Sequence, residues 1–91
     1  MVRTNISEES MLAKLYDFCS EIDYKVSNAI DCACRWATPG SSTKAIIKLT
    51  MFKFLLNIDG ETETSRLTDI AIQAIKNWQK TGELVVSYSY V

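Results

Sequence analysis

"AIIKLTMFKFLLNIDG", residues 45–60, is the most apolar stretch of this chain. It reads as a membrane span, a buried helix or two strands, and that choice decides the fold. A span needs about 18 to 20 consecutive apolar residues. Lys44, Lys48, Lys53 and Asn57 interrupt this run and Asp59-Gly60 closes it, so no membrane partner is expected.

Projected at ~100° per residue, Ala45, Leu49, Phe52 and Leu56 form one stripe. Ile47, Met51, Phe54 and Ile58 form a second, nearly opposite. A helix apolar on two sides belongs in the middle of a bundle or between two protomers. Ser41, Ser42 and Thr43 offer an N-cap, and Gly60 a C-terminal stop. A strand reading competes, because Ile47 to Met51 alternates and Asp-Gly is a hairpin signal. The alternation fails at Met51-Phe52 and again at Phe54-Leu55-Leu56. The spacing therefore predicts a central helix over 43–58, with an α+β fold, residues 45–58 as strands, as the alternative.

Upstream, residues 7–37 contain no Gly or Pro. Ser7 is placed to cap, Glu8 and Glu9 suit the positive end of a helix dipole, and Ile6 can staple onto Met11. Met11, Leu15, Phe18, Ile22, Val26, Ala29 and Ala33 keep helical spacing. An unbroken helix here would be ~45 Å long. It either breaks near Asp23-Tyr24 or projects and pairs with a second copy. Trp36 to Gly40 reads as a terminator and turn.

Downstream, a second amphipathic helix is expected over 65–81. Its apolar face is Leu67, Ile70, Ala71, Ala74, Ile75 and Trp78, and Gly82 stands where a left-handed cap is wanted. The tail, residues 83–91, alternates and is rich in β-branched and aromatic residues, which predicts a terminal strand. A lone strand needs a partner, either another copy or another protein.

With 91 residues the chain is expected to be a single domain, 1–91, and self-association offers extra burial at this size. Ten basic and eleven acidic residues leave a net charge of −1, no footprint for nucleic acid. Lys44, Lys48 and Lys53 do not share one helical face. Three cysteines, Cys19, Cys32 and Cys34, follow no disulfide-framework spacing, and the early sequence has no apolar signal core; both point to the cytoplasm. Cys32 and Cys34 diverge by about 200° on a helix, so they are expected to be small apolar residues and not metal ligands.

There is no His, and no Ser or Cys sits in a nucleophile motif; the chain is expected to be no enzyme. Asp59, Glu61 and Glu63 lack the spacings of a cation site, and no cofactor or metal is expected. Among the aromatics, Trp36, Trp78, Tyr88 and Tyr90 are the candidate partner-binding residues, since Trp and Tyr commonly anchor interfaces.

The stretch "IAIQAIKNWQKTG", residues 70–82, resembles in pattern the closing helix of colicin DNase immunity proteins, small acidic four-helix inhibitors. The Tyr-Tyr-Pro segment with which those proteins bind their toxin is absent here, and no site residue is carried over. Together the residues predict a mainly α fold: a small bundle of three to four helices (7–37, broken or not near 23; 43–58; 65–81) with a C-terminal β-strand. The function expected is that of a small protein-binding module, a regulator, inhibitor or adaptor acting as a homodimer on another protein. The alternative is a dimeric nucleic-acid-binding transcription regulator.

Overall fold

The structure, a computed structural model, describes residues 6–34 and 41–87, with 33 and 34 described by their backbone alone. Four helices form in these residues: α1 (Glu8–Ile22), α2 (Tyr24–Cys34), α3 (Ser41–Asp59) and α4 (Thr62–Thr81). They pack as a small helical bundle around one core built on Met11, Leu15, Val26, Ile30, Leu49, Leu67 and Ile75. Residues 45–58 lie wholly within α3, so the α+β alternative falls.

The first long helical region does break, and Asp23 breaks it. Its backbone is extended (φ −155°, ψ 107°), and its N–H still donates to the Cys19 carbonyl at 2.7 Å, closing α1. Its carboxylate then opens α2, accepting from the Lys25 N–H at 3.0 Å. The other carboxylate oxygen accepts from Thr64 Oγ1 at 2.7 Å, which ties the corner to the first turn of α4. Orphan amides at a helix start favour such an acceptor, and Asp is among the best at the position. At the other end of α1, Ser7 caps as expected, its hydroxyl accepting from the Ser10 N–H at 3.1 Å.

The N-terminus of α3 is served from a distance. The Glu8 carboxylate accepts from the Ser42 hydroxyl at 2.8 Å and from the Ser42 N–H at 3.3 Å. Gln79 of α4 donates to the same hydroxyl at 3.0 Å. A carboxylate at this end also meets the favourable pole of the helix dipole. α3 ends at Gly60, whose φ of 75° is the left-handed region that glycine enters without strain. The Gly60 N–H donates to the Asn57 carbonyl and the Glu61 N–H to the Leu56 carbonyl, the paired bonds of a Schellman stop. Asp-Gly is therefore a helix terminator here and not a hairpin: both structures need the same left-handed glycine.

α4 begins at Thr62, earlier than the apolar spacing indicates, and closes at Gly82 (φ 79°) with its N–H on the Trp78 carbonyl at 2.7 Å. The expected terminal strand is not found. Residues 83–87 carry no strand pairing, and 88–91 fall outside the described residues. The alternation that suggested it has another cause: Leu84 and Val86 turn onto the helical core while Val85 points outward. Side-chain packing on a helix reproduces a period of two without any ladder. No strand occurs among the described residues.

Candidate functional site

The two stripes of α3 meet opposite fates. Ala45, Leu49 and Leu56 are buried and Phe52 is half-buried, all facing the bundle. Ile47, Met51, Phe54, Leu55 and Ile58 lie on the far side, between 55 % and 66 % exposed. Among the described residues two other large apolar side chains, Tyr24 and Val85, are comparably open, but they stand outside α3. Five such residues along one helix amount to an apolar patch on the order of 500 Å², near the upper end of the largest patch a monomer ordinarily shows. This outer face of α3 is the candidate site.

Its borders are polar and asymmetric. In helical projection Lys44 and Lys48 line one side near the N-terminal end, and Thr43, Thr50 and Asn57 line the other. Thr50 turns its hydroxyl back onto the Ile46 carbonyl at 2.7 Å, and the Asn57 amide oxygen accepts from Ser65 Oγ at 2.7 Å. Lys53 reaches away from the patch to Asp69 of α4 at 2.9 Å. The Asp59–Glu61 corner closes the far end. There Glu61 pairs with Lys25 at 3.0 Å, and its carboxylate holds the Lys25 pKa above the ordinary value.

The residues singled out from the sequence are elsewhere. Trp36, Tyr88 and Tyr90 lie outside the described residues. Trp78 is half-buried against the core, and its indole N–H donates to the Ile6 carbonyl at 2.8 Å. With the Ile6 N–H on the Gly82 carbonyl at 3.1 Å, this bond holds Ile6 to the end of α4. The outer α3 residues were legible as a second stripe; only Leu55 falls outside that pattern.

Cys19 is fully buried and its thiol is pushed up to about 12, first by burial and then by the nearby Asp23 charge. Cys32, expected to be a small apolar packing residue, is instead exposed on α2. Two free thiols so placed share no site, and no group of three or more metal-ligating side chains gathers among the described residues. A shallow, open recess of about 330 Å³ lies between Ile6, Lys14, Glu83, Leu84 and Val85. No helix among the described residues is long and apolar enough to cross a membrane. No family model, no curated protein and no solved structure matches this chain.

Proposed function

We propose that this chain is a non-enzymatic protein-binding module, a regulator, inhibitor or adaptor that works by contact in the cytoplasm, as a homodimer. The outer face of α3 carries the reading: an apolar stripe along one helix, exposed among the described residues, with a polar border. Apolar area of this extent is costly in water and is ordinarily retained where a partner covers it. The sequence holds no His, the usual general base near neutral pH, which is in keeping with a function by contact.

The test is a photo-crosslinking side chain placed at Met51 in the intact chain, in the cells that make it. A matched chain carries the same group at Gln73, exposed on the polar side of α4. Specific crosslinked protein at position 51 and none at 73 is the expected result. Equal yields at both positions, or none at 51, overturn the reading. Random duplex DNA serves as a control ligand, with no salt-sensitive binding expected.

A further inference from the structure

We infer that the occupant of the outer α3 face is the same face of a second copy, the two α3 helices running antiparallel about a two-fold axis between Met51 and Phe54. This rests on the reading of that face as a protein contact surface and names its partner.

Ile47, Met51, Phe54 and Ile58 follow one another at intervals of four, three and four residues. That is the four-three alternation of a coiled-coil seam, sustained for four layers and ~16 Å. The pattern is also its own mirror: read from either end it gives an isoleucine, a large flexible or aromatic residue, its counterpart, and an isoleucine. A two-fold interface requires that if one residue meets another, the second meets the first. Antiparallel pairing satisfies this with Ile47 on the partner's Ile58 and Met51 on the partner's Phe54, a thioether against an aromatic ring. Parallel pairing stacks Met on Met and Phe on Phe and loses that complement.

α3 has Lys44 and Lys48 towards its positive end and Asp59 at its negative end, with no acidic residue in its first turn and no basic one in its last. For an isolated helix this ordering opposes the macrodipole. An antiparallel copy reverses the relation, bringing Lys44 and Lys48 alongside the partner's Asp59–Glu61 corner and its helix C-terminus. The same operation brings each border against its own counterpart. The Thr43, Thr50 and Asn57 side is uncharged, so that approach meets no like-charge repulsion.

A stable interface covers about 800 Å² per partner, and the apolar stripe supplies most of it, the Lys44 and Lys48 stems extending it at the rim. A moderate dimer is expected, forming at micromolar concentration.

Sedimentation equilibrium on the intact protein tests the association, and isotope-filtered NMR tests the arrangement. A mass twice the 10.3 kDa of the chain is expected. Phe54→Asp should weaken it by roughly 30-fold or more while leaving the helical circular dichroism intact. In a mixed labelled sample, nuclear Overhauser contacts between Ile47 and Ile58 methyls are expected. One helix holds these residues ~16 Å apart, so such contacts arise only between chains. A monomer at millimolar concentration overturns the proposal, as does a dimer showing Ile47–Ile47 contacts or contacts only through residues 84–87. A monomer that still crosslinks another protein through position 51 refutes the self-pairing alone. Loss of that crosslink as well refutes the contact reading beneath it.

Discussion

α3 and α4 are consecutive, nearly equal in length at 19 and 20 residues, and packed against each other. α4 is apolar mainly on one side, and burial largely follows the pattern: Leu67, Ala71, Ala74 and Ile75 are inside, Ile70 and Trp78 are half-buried, and Gln73, Lys76 and Lys80 are exposed, while Ile72, off that face, is buried as well. α3 is apolar on two sides, and the described residues cover only one of them. Periodicity states which residues share a face. It does not state whether a neighbour exists to cover that face, and among the described residues α3 has helical neighbours on one flank only. Whether a face is buried is therefore set by how the helices pack around it and not by the helix's own pattern.

The sharpest way to break this contrast is to truncate one residue from each side of α3. Leu49 has no exposed surface, and Leu49→Ala should cost about 3 kcal/mol through lost transfer energy and a residual cavity. Phe54 is the larger side chain, yet Phe54→Gln should change monomer stability by no more than about 0.5 kcal/mol. Urea unfolding at submicromolar protein, below association, reads both. Comparable losses would mean that the outer stripe is part of the folding core.

The same distinction explains what was legible in the sequence. Both stripes of α3, the apolar face of α4, the Ser7 cap and the Gly82 stop are local patterns, and each was readable because its physical cause lies within a few residues. The break at 23 was readable as one of two outcomes; its cause, a carboxylate shared between Lys25 and Thr64, spans 41 residues to α4 and was not. The tail misled because alternation at Leu84, Val85 and Val86 records a packed face, and a ladder is a different thing. Trp commonly anchors interfaces, yet the indole N–H of Trp78 is committed to Ile6, whereas Phe54 stands open on α3.

A smaller effect sharpens the comparison at the start of α4. Asp23→Ala removes the cap of α2 and the acceptor of Thr64, a buried hydroxyl in the first turn of α4. A loss of roughly 1–2 kcal/mol is expected, the usual range for a cap substitution. Amide exchange should locate the damage in residues 24–27 and 62–66, with α3 protected as before. Uniform loss across the chain would show that the corner is not a local device.

The smallest effect compares a covered with an uncovered thiol. Cys19 is buried and its pKa is pushed from the ordinary 9.0 up to about 12, whereas Cys32 is exposed. A thiol with a raised folded-state pKa keeps its proton in the native chain after the unfolded chain has released it. The unfolded state then binds fewer protons, so stability falls as pH rises. The penalty is absent below about pH 8, opens as pH passes the ordinary thiol value, and levels off above about 12. At pH 10 the native protein should be destabilised relative to neutral pH by about 1 kcal/mol more than the Cys19→Ala variant. Matching pH profiles for the two proteins would show that Cys19 titrates as an open thiol. Iodoacetamide gives an independent reading, because the thiolate is the reacting form. Cys32 should be alkylated in the folded protein, and Cys19 only as fast as the chain unfolds.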